Sequence, residues 1–190
     1  MKKFALASAF AAMAISPLTQ AADYVIDTEG AHAFIQFRVS HLGYSYVEGR
    51  FNTFAGTFSF DDKNVAAAKI ELTIDTKSVD SNHAARDKHL RSGDFLNVDK
   101  HGKATFVSTK IVPKTAGQFD VVGNFTFNGV TKEITINAQK VGEGQDPWGG
   151  YRAGFTGTSA INLSDFAIKN ILGPKAETVA LSFVVEGVRK

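Results

Sequence analysis

Beyond residue 22 the chain alternates apolar and polar residues with a period of two, which commits most of it to β-strands with one dry and one wet face. In Lys69-Ile70-Glu71-Leu72-Thr73-Ile74-Asp75 the apolar residues take every even position. Phe119, Val121, Gly123, Phe125 and Phe127 alternate with Asp120, Val122, Asn124 and Thr126. Asn128-Gly129 then marks a tight hairpin, and Ile134, Ile136 and Ala138 continue the dry face on the return strand. Similar runs at 31–39, 50–60, 104–112, 151–161 and 178–188, with a short opening run at 24–27, give about eight strands joined mostly by brief turns. Strands this long leave unpaired edges unless the sheet closes on itself, so an all-β, eight-stranded antiparallel barrel is expected in place of an open sandwich.

One segment departs from the period. His83 to Arg91 is rich in helix formers, Asp80-Ser81-Asn82 offers N-caps, and Ser92-Gly93 ends the run, so a short helix is expected across one rim of the barrel. Asp94 to Asn97 reads as a second short turn, and Gly142 to Gly150 as a loose connection.

The first residues read as an export signal. Lys2 and Lys3 precede an uncharged apolar run from Phe4 to Ile15, and Thr19-Gln20-Ala21-Ala22 offers cleavage after Ala21 or Ala22. That run is too short to span a bilayer. The expected division is a signal at 1–22 and one domain at 23–190. Without Lys2 and Lys3 the 21 basic residues become 19, equal to the 19 acidic ones, so the exported domain has no counterion-release drive toward nucleic acid.

With no cysteine, the domain depends on its core for stability. That core is phenylalanine-rich: 16 Phe against 4 Tyr and 1 Trp bring apolar area with few polar atoms to satisfy. The scarcity of Tyr and Trp also argues against an outer-membrane barrel, which needs aromatic girdles on its outer surface. An inward apolar face leaves two readings, a solid phenylalanine core and a greasy tunnel. Small inward residues at Gly56, Gly123, Ala138, Ala153 and Gly157 suit both. The candidate lumen positions are Phe37, Phe54, Phe58, Ile70, Leu72, Ile74, Phe119, Val121, Phe125, Ile136, Phe155, Leu181 and Phe183.

The densest polar cluster is His83, Arg86, Asp87, His89, Arg91 and Asp94. One reading is a solvated helix stitched by i,i+4 pairs, His83 with Asp87 and Asp87 with Arg91. The other is that Arg86, His89 or Arg91 meets a polar head group at the barrel mouth. Trp148, in its glycine-rich loop, is a rim anchor or packs on the barrel end. Arg38 is expected to face outward, since Ile35, Phe37 and Val39 share the other face. His83 and His89 are six apart, a poor spacing for a shared metal on one helix, although His32 and His41 stay open as spatial partners. There is no Cys and no Gly-x-Ser-x-Gly nucleophile elbow, so no enzyme and no cofactor are expected.

An ordered series of motifs resembles the YceI-like family. It comprises His32-Ala33-Phe34, Phe37-Arg38-Val39-Ser40-His41-Leu42-Gly43, Gly49-Arg50-Phe51, Phe54-Ala55-Gly56-Thr57-Phe58, Asn82 to Arg91, Asp94-Phe95-Leu96, Ala104-Thr105-Phe106, Phe127 to Thr131 and Asp146-Pro147-Trp148-Gly149-Gly150. The resemblance implies an extended lipocalin-like barrel in the periplasm that binds a polyisoprenoid, an isoprenoid quinone or a similar lipid. A homodimer and no agreed catalytic activity are implied with it, and the affinity of so long a tail for the bilayer points to transient membrane contact. The alternative is a non-catalytic structural or stress-related interaction protein with a packed barrel.

Overall fold

A computed structural model describes residues 21–115 and 117–190, so the expected signal lies, but for its last two residues, outside the described residues. Eleven strands form one antiparallel sheet: β1 (Ala22–Ile26), β2 (Phe34–His41), β3 (Ser45–Phe51), β4 (Phe54–Phe60), β5 (Lys69–Asp75), β6 (Val79–Asp80), β7 (Lys103–Pro113), β8 (Gln118–Phe127), β9 (Val130–Gln145), β10 (Tyr151–Asn162) and β11 (Thr178–Arg189). One helix, α1 (Ala84–Arg91), lies between β6 and β7.

The sheet closes into a barrel of eight strand positions. Three of those positions are each filled by two short strands laid end to end. β11 pairs with β1 through Val188 and with β2 through Leu181, so β1 and β2 occupy one position. β4 pairs with β1 and β3 with β2, while β5 pairs with β4 and β6 with β3. The remaining pairings run in meander order from β5 through β7, β8, β9 and β10 to β11. No edge is left along the closed part, which is how a long-stranded sheet avoids pairing with other chains.

The boundaries differ from the sequence reading in several places. The run 50–60 is two strands, because the chain leaves the ladder at Asn52 and Thr53; Asn52 N donates to Ser78 O and Thr53 N to Ser78 Oγ. The run 31–39 begins only at Phe34, since Ala31 has φ 53°. β9 continues through Gly142-Glu143-Gly144, read above as loop, because these residues keep pairing with Gly154, Ala153 and Arg152 across a bulge at Gly154/Phe155.

The dry faces turn inward, as the period requires. Ile35, Phe58, Ile74, Phe106, Phe119, Val121 and Phe125 are all buried. Arg38 faces outward and pairs with Glu48. This arrangement is the inverse of an outer-membrane barrel, whose apolar residues face lipid.

Candidate functional site

The inward side chains do not fill the barrel. Three apolar cavities follow one another along its axis. The widest, about 280 Å³, lies under α1 and is lined by Phe37, Val39, Phe51, Phe95, Phe127 and Leu181, among others. A narrow space of about 30 Å³ follows, bounded by Ile74, Phe125, Phe183 and again Leu181. Beyond it a third cavity of about 90 Å³ is lined by Phe54, Phe58, Ile70, Leu72, Phe119, Val121, Ile136, Phe155 and Phe183. Every one of the thirteen expected lumen positions lines one of these spaces. Shared walls, such as Leu181 between the first two and Leu72, Ile136 and Phe183 between the last two, place them in a single file.

Rings line the far cavity edge-to-face. Phe155 meets Phe58, Phe60 and Phe119 at centroid distances of 5.4, 4.9 and 5.9 Å, and Tyr24 stacks on Phe58 at 4.8 Å. Such contacts fix ring orientations, so the walls are preformed. Space for the rings comes from small residues on neighbouring strands. A β-carbon at Gly123 would sit 2.5 Å from Phe106 Cζ, and Ala138 and Gly157 line the far cavity without projecting into it.

Polar groups gather at one mouth. His41, Arg86, His89 and Asn170 line the wide chamber. Arg86 is fixed by Ser81: its Nε donates to Ser81 Oγ at 2.7 Å and its Nη2 to Ser81 O at 2.6 Å. Those bonds leave guanidinium donors for a ligand at the chamber. Ser81 is fixed in turn by buried Asp87, whose Oδ1 accepts from Ser81 N at 2.8 Å. Asp87 therefore serves Ser81, and the expected pairs with His83 and Arg91 do not form. His83 instead caps α1, its Nδ1 accepting from Arg86 N, in place of the expected Asp80-Ser81-Asn82 cap. His89 Nε2 sits 3.1 Å from Asp94 Oδ2, with its ring edge-on to Phe95.

Of the expected head-group and rim residues, Arg91 and Trp148 lie away from this mouth. Arg91 spends its guanidinium on the carbonyls of Lys77 and Val79, tying α1 to β6. Trp148 is at the opposite end of the barrel, 80% exposed, with the Arg152 guanidinium 5.7 Å from its ring centre. The β9–β10 connection stands beside the end of β11, whereas α1 is tied to β6 beside the β2–β3 end, which adjoins the start of β11. His32 and His41 are likewise separated, His32 lying by Glu186 far from the chamber.

Trp148's loop has its own logic. Asp146 Oδ1 accepts from Trp148 N and Gly150 N, and its Oδ2 accepts from Arg152 Nε at 2.8 Å. Arg152 Nη1 also reaches Asp27 and Glu186, both at 2.6 Å. The guanidinium holds both Asp27 and Asp146 below the usual carboxylate range, helped by backbone N–H groups of Gly30 and Gly150. Asp27, His32 and Glu186 lie close enough to hold a metal ion, but Arg152 already supplies the positive charge there.

The segment from Leu163 to Glu177 went unread in the sequence. A 3-10 turn at Leu163–Phe166 and the following loop carry Ile168, Asn170, Ile171, Leu172 and Ala176 over the wide chamber. Asn170 shapes that loop by donating to Gly173 O and Glu177 Oε2. Its apolar pairs lack a strand's period, so only the closed barrel brings them to the mouth.

Comparison with known proteins agrees with this architecture. The YceI-like domain model matches residues 24–187. A UPF0312 protein of Shewanella sp. (strain MR-7) is 60% identical over 191 residues, covering all of both chains. A Campylobacter jejuni YCEI protein structure superposes with a TM-score of 0.71 at 27% identity, covering 80% of this chain and 90% of that one. A polyisoprenoid binding domain from Saccharophagus degradans shares the fold, with a TM-score of 0.62 at 17% identity over 90% of this chain and 100% of that one. With the model match spanning nearly the whole barrel, this chain belongs to the YceI-like domain family.

Proposed function

We propose that the protein is a non-catalytic periplasmic carrier that holds one long apolar lipid, of the polyisoprenoid or isoprenoid quinone class, with its tail along the barrel axis. The observation that carries this reading is the single file of apolar cavities with its polar groups confined to one mouth. A core serving stability alone would not retain such space. Unfilled volume inside a core forgoes about 24 cal/mol per Å³, so packing for stability would close such space. The polyisoprenoid-binding description of the Saccharophagus degradans domain supports the ligand class.

The tail takes the thirteen lining positions, and Arg86 and His89 meet the head group. At about 0.8 kcal/mol per buried methylene, a long prenyl tail would give some tens of kcal/mol against water. That exceeds the roughly 20 kcal/mol at which noncovalent affinity saturates, so the working competitor is the bilayer and the role is transfer. On this reading the amino-terminal segment is an export signal, and the carrier works between two membranes. A homodimer stays part of this reading.

Leu181→Trp tests it. The indole occupies the wide chamber at its junction with the narrow space, leaving the backbone undisturbed. Retained lipid falls to a small fraction of the parent's while the thermal midpoint stays close. Unchanged lipid content would contradict the proposal.

A further inference from the structure

The rim around the wide chamber carries apolar side chains that the barrel does not use. Leu42 is 48% exposed, Tyr44 89% and Ile171 55%. Ile171 also lines the chamber, so its apolar wall runs out onto the surface without a break. Leu42 and Gly43 form the β2–β3 turn with φ 55° and 82°, closed by Tyr44 N donating to His41 O. Asn or Gly would adopt that left-handed backbone at less cost than Leu, so the turn itself gives no reason for an apolar side chain there. The turn and the 167–177 loop stand together: a β-carbon at Gly43 would fall 2.5 Å from Lys175 Cδ.

Basic side chains dominate the two segments that bear these residues. Residues 39–47 and 166–176 contain no acidic residue, and they carry Lys169 and Lys175. Both lysines are exposed, and neither makes an ion pair among the described residues. Of the neighbouring carboxylates, Glu48 pairs with Arg38, Asp94 with His89, and Glu177 with Ser164 and Asn170, while the exposed Asp165 lies on the side of Lys132 and Glu133.

We propose that this rim, with Leu42, Tyr44 and Ile171 flanked by Lys169 and Lys175, docks the barrel mouth onto an anionic lipid bilayer. The inference rests on the carrier reading, since a lipid moved between membranes must cross from bilayer to lumen without meeting water. Apolar side chains seat in the interface and the lysines pair with anionic head groups, the combination that surface-binding segments use. The mouth then opens directly on the acyl region.

The test is flotation of the full exported protein with vesicles of phosphatidylethanolamine and phosphatidylglycerol at roughly 7:3, against vesicles of phosphatidylcholine alone. The parent floats with the anionic vesicles. Leu42→Asn with Tyr44→Ser removes the apolar contacts, and asparagine keeps the left-handed turn. Lys169→Gln with Lys175→Gln removes the charge, with a loss of about fivefold per lysine. Each pair lowers vesicle binding by about tenfold or more while the thermal midpoint, measured on the same preparations, is unchanged. A parent that ignores anionic vesicles, variants that float as well as the parent, or equal binding to phosphatidylcholine would overturn the proposal. A lipid-filled protein that fails to float sinks the docking surface and spares the carrier reading. An empty protein that floats does the reverse.

Discussion

Phe37 lies across Gly49 on the neighbouring strand, its ring occupying the space that any β-carbon at Gly49 would need. The same device recurs where Phe106 covers Gly123 and Phe58 covers Gly187. In each case a large ring is laid along the barrel wall by the absence of a side chain beside it. Phenylalanine-rich walls and an open axis are therefore compatible.

Gly49→Ala tests that arrangement. The added methyl meets the Phe37 ring and also Asp80 O at 2.8 Å, so Phe37 must swing into the wide chamber. Overpacking of this kind costs about 1–3 kcal/mol. Urea denaturation is expected to show that loss, and lipid retained per barrel should fall with it. A variant as stable as the parent, with full lipid content, would show that the ring has other room.

Glycine at position 123 behaves differently. A side chain there meets Val107 O as well as Phe106, both at 2.5 Å, so Gly123→Phe would displace backbone before it filled any tunnel. Blocking variants belong at Leu181, where the chamber has space.

Asp87 should matter for the mouth through Ser81. Asp87→Ala leaves the Ser81 N–H without its acceptor at a buried position, a cost of about 1–3 kcal/mol. Arg86, held by Ser81 Oγ and O, loses its fixed orientation at the same time. The expected result is lower stability by denaturant titration and weaker head-group discrimination, with tail binding largely kept. Loss of stability without any change at the chamber would separate the two roles.

The far end of the barrel predicts an acid-sensitive contribution. Arg152 holds Asp27 and Asp146 below their ordinary value of 3.8. A depressed folded-state value means that stability is present above about pH 4 and lost as the pH falls through the folded values. Arg152→Met should therefore lower the thermal midpoint most at pH 7, with a deficit that narrows below pH 4. Melting curves between pH 7 and pH 3 check this, and a constant deficit would contradict it.

The barrel was largely legible because a strand's period of two separates its faces without knowledge of the partner. Ile70, Leu72 and Ile74 had to share a face, and closure turned that face onto the axis. Polar residues carried no such signal. Nothing in the order of residues distinguishes Arg86, which reaches the chamber, from Arg91, which ties α1 to backbone carbonyls. Trp148 and α1 fall at opposite ends because barrel topology, which the loop sequence does not contain, decides which connection meets which rim. Only Arg50 and Phe51 of the strand at Ser45–Phe51 were legible, because its turn uses Leu42, a residue outside the usual left-handed set. The 167–177 loop was missed because its apolar residues follow neither a strand nor a helix period.

The cavities and their ownership by a lipid stand or fall together, and mass spectrometry of the lumen contents reaches that point directly. The protein would be purified from the compartment in which it works, without detergent, and extracted with organic solvent. The account predicts one isoprenoid-class lipid in the extract at close to one molecule per barrel, and its loss from the Leu181→Trp variant. Repeatedly empty barrels from the native source would contradict it.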